Sequence, residues 1–162
     1  METPMFKRLI PALLAISLIS GCGFHLRGNF SLPKSLSSVS LSGTDQDFIE
    51  SLTNELERNG AAVVISQTGT TQLDITNLQY LSSVSKTDAQ GRATGYTYYY
   101  NLDYSVVSGN GETLQPPTAI SQTRTQEYDP NQELLAEQEA EFLREEMEKD
   151  LILQLLRRLS RL

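Results

Sequence analysis

The sequence is poor in the residues from which small proteins build reactive or metal-binding sites. Its 162 residues include one cysteine, one histidine and no tryptophan. A single cysteine excludes an internal disulfide and a multi-thiolate metal site, and a single histidine excludes a two-histidine metal cluster. The 13 basic and 20 acidic residues give a formal net charge of −7, which argues against nucleic-acid binding because such proteins carry basic faces. The sequence thus predicts no metal and no cofactor.

No apolar run is long enough to cross a bilayer, but the N-terminus carries a shorter one. Two basic residues precede the apolar residues 9–19, and about eleven residues fall short of the roughly 20 that a membrane-spanning helix needs. This order is typical of a secretory signal peptide. The small residues Ser20 and Gly21 then precede Cys22, a pattern that resembles the bacterial lipobox.

The lipobox resemblance implies that residues 1–21 are a lipoprotein signal peptide. Cys22 would then become N-palmitoylated and S-diacylglycerol-modified, and several acyl chains would anchor it stably, since each buried methylene contributes about 0.8 kcal/mol. Gly23 after the cysteine is typical of lipoproteins sorted to the outer membrane. Two alternatives remain open: a free Cys22 thiol behind an ordinary signal peptide, and translation from Met5 instead of Met1.

The first part of the mature chain predicts a βαβ unit. Residues 36–41 contain the alternation typical of a strand. The motif Thr44-Asp45-Gln46-Asp47 matches a capping box, in which side chains satisfy free N–H groups at a helix start. Asn59-Gly60 is a plausible helix stop, and residues 61–65 predict a short buried strand. Strand, helix and strand within about 30 residues favour parallel strands with a right-handed crossover.

Downstream of this unit the hydrophobic period changes to two, which predicts antiparallel hairpins. A change of phase near Thr76–Asn77 indicates a β-bulge, and residues 87–91 predict a turn with a glycine free to take positive φ. Residues 96–106 place tyrosines and aliphatic residues on one face and polar residues on the other. After a turn at 109–111, a Thr-rich return strand, interrupted by Pro116-Pro117, is expected at the sheet edge.

A long C-terminal helix completes the predicted fold. Asp129 is the expected N-cap of a helix over residues 131–161, whose acidic residues are expected to form a solvated face. We therefore expect an α+β fold in which two helices pack on one face of a mixed four- to five-stranded sheet. Residues 22–33 would form a lipidated tether, and residues 34–162 a single periplasmic domain.

Catalytic chemistry finds little support in this sequence. The only histidine, His25, follows Cys22 by three residues, too close to an anchor to be held with the tolerance that proton transfer requires. Asp45 and Asp47 fit a helix start better than a metal site, since no further carboxylate follows at loop spacing. The glycine pairs belong to turns, and none opens a helix as phosphate binding requires. The sequence therefore predicts a protein that is not an enzyme.

Two surface features remain as candidate binding sites. Tyr99 lies on the polar face of its strand, where an exposed aromatic residue would suit a protein–protein interface. Lys86 and Arg92 flank a hairpin tip, where cations can meet anionic groups. The alternative for Lys86 and Arg92 is that both are solvated turn residues.

The seven residues that begin the mature chain match a known family. Cys22-Gly23-Phe24-His25-Leu26-Arg27-Gly28 resembles the mature N-terminus of the LPS-assembly lipoproteins of the LptE family, also called rare lipoprotein B. The order of the later elements agrees: an early strand, a helix ending at Asn59-Gly60, a strand, a long tyrosine-bearing hairpin, and a helix after Asp129-Pro130. The resemblance extends over residues 22–162.

This resemblance implies a non-enzymatic lipoprotein at the periplasmic side of the cell outer membrane, held there by its lipid anchor. Its partner would be the β-barrel LptD, inside which it would act as plug and assembly factor while lipopolysaccharide is assembled at the outer leaflet. Lipopolysaccharide would contact basic residues near the hairpin tip, for which Lys86 and Arg92 are the candidates.

Two other functions fit part of the sequence. A lipid-anchored structural or envelope-maintenance lipoprotein with no transport role would share the lipobox and the fold, but not the heptad Cys22–Gly28. A small-ligand-binding module would need an open pocket on the sheet, lined by Tyr96, Tyr98 and Tyr100. A helix that covers this face would exclude such a pocket.

Overall fold

A computed structural model of the chain describes residues 30–65, 67–127 and 129–162. The predicted signal peptide, Cys22 and the first part of the predicted tether lie outside the described residues, and Phe30 and Leu32 pack against the core. The elements in chain order are a 3₁₀ turn (Lys34–Leu36), β1 (Ser38–Ser42), α1 (Gln46–Arg58), β2 (Ala62–Val63), β3 (Thr71–Thr87), β4 (Ala93–Val107), β5 (Thr113–Glu127) and α2 (Glu133–Leu159).

The strands form one mixed sheet in the order β2-β1-β3-β4-β5. β1 runs parallel to both β2 and β3, whereas β4 is antiparallel to β3 and to β5. Both helices cover the same face of this sheet, where their apolar residues and those of the strands form one core. The structure thus confirms the α+β class and the βαβ unit followed by antiparallel hairpins.

α1 is positioned by an aspartate cap and an apolar stripe. The carboxylate of Asp45 accepts a hydrogen bond of 3.0 Å from the backbone N–H of Phe48, so the cap is Asp45. Interpreting Thr44–Asp47 as a capping box places the cap at Thr44, one residue too early, because a threonine and an aspartate can both accept this bond. The stripe of Phe48, Leu52 and Leu56 is fully buried.

α2 is shorter than predicted at both ends. It starts at Glu133 with Gln132 as its N-cap, and it ends at Leu159. Asp129 does not cap it. The Asp129 carboxylate instead accepts a hydrogen bond of 2.9 Å from the backbone N–H of Asn131, which holds a turn before the helix. The buried residues of α2 are Met147, Leu151, Ile152, Leu155, Leu156 and Leu159.

The long strands contain both predicted irregularities. The register passes from Ile75 opposite Tyr104 to Asn77 opposite Asp103, which confirms the β-bulge near Thr76. β5 is the edge strand, as predicted, but Pro116 and Pro117 do not interrupt it. They lie at a register shift, since Tyr104 pairs with Thr118 and Val106 with Gln115. A proline lacks the backbone N–H that a central strand would need, and an edge bulge tolerates it.

Tyrosines pack together beneath the N-terminal half of α2. The ring of Tyr80 stacks on Tyr98 with centroids 5.8 Å apart and meets the edge of Tyr100 at 5.3 Å. The guanidinium carbon of Arg144 lies 5.6 Å from the Tyr80 ring centroid, and the Tyr100 hydroxyl donates to a Glu148 carboxylate oxygen at 3.3 Å. Tyr98 and Tyr100 are buried, so these rings do not line an open small-ligand pocket.

We expect Gly109→Ala to destabilise the fold. A Cβ atom at Gly109 would lie 2.0 Å from the carbonyl oxygen of Gly69, so the two loops must move apart. Overpacking of this kind costs about 1–3 kcal/mol of unfolding free energy, which urea denaturation of the acylated chain in detergent would measure. Glu112→Ala, in the same exposed turn, is the control and should stay within about 0.5 kcal/mol. Equal stability of Gly109→Ala and wild type would contradict the close approach.

Tyr80→Phe and Tyr100→Phe are expected to act in opposite directions. The Tyr80 hydroxyl is buried without a hydrogen-bond partner among the described residues, so its removal should leave the unfolding free energy unchanged or raise it. Tyr100→Phe loses the bond to Glu148 and should cost about 1 kcal/mol. A loss of stability in Tyr80→Phe as large as that in Tyr100→Phe would contradict this assignment.

The buried hydroxyl of Tyr80 also predicts a pH dependence of stability. Burial raises the pKa of Tyr80 to about 12, from an ordinary value of 10.0. The unfolded chain therefore loses this proton at lower pH than the folded chain. Below pH 10 the ionisation of Tyr80 does not reduce the unfolding free energy, and as the pH rises towards 12 it reduces it progressively. Tyr80→Phe should lose less stability over this interval than wild type in denaturation at fixed pH.

Candidate interaction surfaces

The turn between β3 and β4 is built around Asp88. Its carboxylate accepts hydrogen bonds from the backbone N–H groups of Gln90 at 2.9 Å and Arg92 at 2.8 Å, while Gly91 takes the positive φ that the turn requires. These bonds, above all the one from the Arg92 backbone, lower the pKa of Asp88. The carboxylate therefore carries its charge at neutral pH.

Both predicted cations lie beside this turn, and each is paired with a carboxylate of the same chain. The Lys86 ammonium group contacts Glu127 of β5, and the Arg92 Nε atom lies 2.8 Å from a carboxylate oxygen of Asp88. The Lys86 and Arg92 side chains remain 55% and 53% exposed. An anion at the tip would therefore share or replace these carboxylate partners. The two ion pairs were not predicted from the sequence.

The face of the sheet opposite the helices is open and mostly polar. On β4 it carries Tyr99, Asn101 and Asp103, with Leu81 and Thr123 on either side of Tyr99. Tyr99 is 40% exposed, as its position in the alternation predicted, and Leu81 is 54% exposed. Leu81 was not singled out from the sequence, although the bulge predicted at Thr76–Asn77 places it on this face. We call this surface the open sheet face.

The outer surface of α2 is acidic, as expected, but it also carries apolar side chains. Leu135 and Phe142 are 47% and 63% exposed. They are seven residues apart, so they lie on one stripe of the helix, and Leu134 is exposed nearby. This spacing was the available sequence signal, and it was overlooked among the glutamates. Exposed apolar groups on one stripe are typical of a contact surface.

A groove of about 550 Å³ separates α1 from α2, and its walls mix charge of both signs. Ser51, Asn54 and Arg58 contribute from α1, and Glu148 and Lys149 from α2. The Arg58 guanidinium already contacts Glu55 at 2.6 Å. No histidine or cysteine lines the groove, and the described part of the chain contains no group of three or more side chains placed to hold a metal ion.

Within residues 30–65, 67–127 and 129–162, the helices are too short or too polar to span a membrane.

Comparisons with known proteins agree on one family. The model of the LptE family, described as lipopolysaccharide-assembly, matches residues 33–159. A curated relative, the LPS-assembly lipoprotein LptE of Pectobacterium atrosepticum, is 28% identical over 153 residues, which cover 90% of this chain and 80% of that protein.

Solved structures share the fold. The NMR structure of a lipoprotein B from Nitrosomonas europaea superposes with a TM-score of 0.69 at 24% identity, covering 85% of this chain and 90% of that chain. The crystal structure of rare lipoprotein B from Shewanella oneidensis gives a TM-score of 0.63 at 21% identity, covering 76% of this chain and 91% of that chain. Since the family model spans nearly the whole folded domain, this chain belongs to the LptE family of lipopolysaccharide-assembly lipoproteins.

Proposed function

We propose that this protein is anchored through a lipidated Cys22 to the periplasmic side of the outer membrane. There it forms a complex with the β-barrel LptD, as plug and assembly factor, and takes part in assembling lipopolysaccharide at the outer leaflet. The observation that carries this proposal is the family match over residues 33–159. The lipobox and the heptad Cys22–Gly28 support it from a separate part of the sequence.

The surfaces of the domain suit a polar enclosure. The lumen of a transmembrane β-barrel is polar, so a protein inside it needs polar surfaces with scattered apolar contacts. The open sheet face offers such a surface, with Asn101 and Asp103 beside the exposed Tyr99. The outer surface of α2 offers a second one, with acidic residues around Phe142. The role proposed here is therefore one of binding and shape, without a catalytic step.

Contact with lipopolysaccharide is the second part of the proposal. Lys86 and Arg92 are half exposed and lie beside one turn, where they can donate to phosphate groups. A phosphate carries more charge than a carboxylate and accepts more hydrogen bonds, so it can displace Glu127 and Asp88 from exposed ion pairs that are themselves weak.

Capture of the acylated, full-length chain from its own membranes tests the complex. We expect a stoichiometric, heat-modifiable β-barrel of the LptD type to be recovered with it and identified by mass spectrometry. Cys22→Ser is the control for the anchor, since it should lack the acyl mass and leave the outer-membrane fraction. Recovery of the lipoprotein alone, or with cell-wall components, would contradict the complex and favour a structural envelope lipoprotein.

Charge reversal at the hairpin tip tests the lipopolysaccharide contact. Lys86→Glu combined with Arg92→Glu should weaken lipopolysaccharide binding by about tenfold or more, because two charge-assisted contacts become repulsive. Association with the barrel should remain intact in the same capture experiment. Arg157→Glu with Arg161→Glu is the matched control, since it makes the same change of charge at the end of the chain remote from this turn. An unchanged binding isotherm for the tip variant would remove the contact.

A further inference from the structure

The length mismatch between β1 and β3 leaves one edge of β3 without a neighbouring strand. β1 pairs with β3 only from Thr71 to Asp74, whereas β4 pairs with the other side of β3 as far as Thr87. Among the described residues, no strand lies against the remaining edge, from Ile75 to Thr87. The N–H and C=O groups that point outward from such an edge are a template for another strand.

The composition of this edge is unusual for an exposed strand. The eleven residues from Ile75 to Ser85 include no charged residue, no proline and no glycine. Side chains on both faces of its outer half are exposed, with Leu81 at 54% and Val84 at 53%. Folded proteins normally protect a long free edge with charges, prolines or bulges, because an unprotected edge pairs with other chains. β3 has register shifts at Ile75/Asn77 and Val84/Lys86, but the stretch between these two shifts has none of the three protections.

The opposite edge of the same sheet shows this protection. β5 carries Pro116 and Pro117 at its register shift and Arg124 in its outer half, and prolines and charges of this kind prevent strand addition. The two edges therefore differ in composition. The difference indicates that the outer edge of β5 stays unpaired, whereas the free edge of β3 pairs with another strand.

We propose that an extended segment of the barrel partner pairs with β3 over Asn77–Val84 and adds a sixth strand to the sheet. This inference rests on the proposed function. Between Asn77 and Val84 the register with β4 is regular, so these eight residues present a straight edge of about 26 Å at 3.3 Å per residue. That length accommodates a strand of ordinary size. Main-chain hydrogen bonds supply the affinity in this mode of recognition, and alternate side chains supply the specificity.

The architecture of a barrel indicates which kind of segment can pair here. The wall strands of a closed barrel are hydrogen-bonded on both sides, so they have no free groups to offer. The added strand must come from a loop of the partner that reaches into the lumen. One face of the added strand would extend the open sheet face beside Leu81, and its other face would contact Val84. We therefore expect an uncharged segment with apolar residues on both faces.

Paired lysine substitutions on the two edges test this proposal in the acylated, full-length chain. Leu81→Lys with Ser83→Lys places two charges at the β3 edge, where they oppose strand addition. Thr123→Lys with Thr125→Lys is the matched control, because these β5 residues lie in the same two rows as Leu81 and Ser83, across Tyr99 and Thr97. All four side chains are exposed, and circular dichroism would check that both variants fold.

We expect the β3-edge variant to recover at least about tenfold less barrel per lipoprotein than wild type, and the β5-edge variant to recover as much as wild type. Equal recovery with both variants would overturn the added strand while leaving the complex itself standing. Wild-type chain recovered without a barrel would overturn the complex, and this inference with it.

Hydrogen exchange of the wild-type chain gives a second readout that needs no substitution. The outward-pointing amides between Asn77 and Val84 should exchange fast in the isolated lipoprotein and slowly in the complex, in an alternating pattern. Fast exchange in both states would overturn the proposal. Protection that appears in the isolated chain and rises with its concentration would also overturn it, since the occupant would then be a second copy.

Discussion

The pairing of β4 with a strand on each side is the constraint on which the rest of this structure depends. β4 is hydrogen-bonded to β3 and β5 over nearly its full length, and its alternation sends Tyr98, Tyr100, Leu102, Tyr104 and Val106 to the helix side, where they are buried. This face needs a cover, and α2 provides it. The polar residues between them are left on the opposite side, so the open sheet face is a consequence of the same alternation.

The positive charge of the hairpin tip is balanced by carboxylates of the same chain. Lys86 and Arg92 at the hairpin tip are matched by Glu127 and Asp88, and the chain as a whole carries −7. Long-range attraction of an anion to the tip is therefore weak, since such attraction is also screened within about 10 Å at ordinary ionic strength. The role proposed above, inside a polar barrel lumen, is consistent with that balance.

Much of the fold could be predicted because its signals are local. The change of phase at Thr76–Asn77 predicted a bulge that the register confirms, and Gly60 and Gly91 lie where positive φ is needed. The helix starts were wrong because an aspartate can cap a helix or close a turn with the same oxygen, and only the backbone that follows decides which. At Asp45 the chain continued as a helix, whereas at Asp129 it formed a turn first.

The sequence by itself determined the order of the elements and which face of each strand is apolar, and it predicts the lipoprotein signal, since all of these depend on residues close together in the chain. It also placed Lys86 and Arg92 beside one turn. Only the tertiary structure decided that Lys86 pairs with Glu127, 41 residues away. It also decided that β3 extends beyond the end of β1, which leaves one edge of β3 unpaired among the described strands. A period of two tells which side of a strand is buried, but carries no information on which strand, if any, lies beside it.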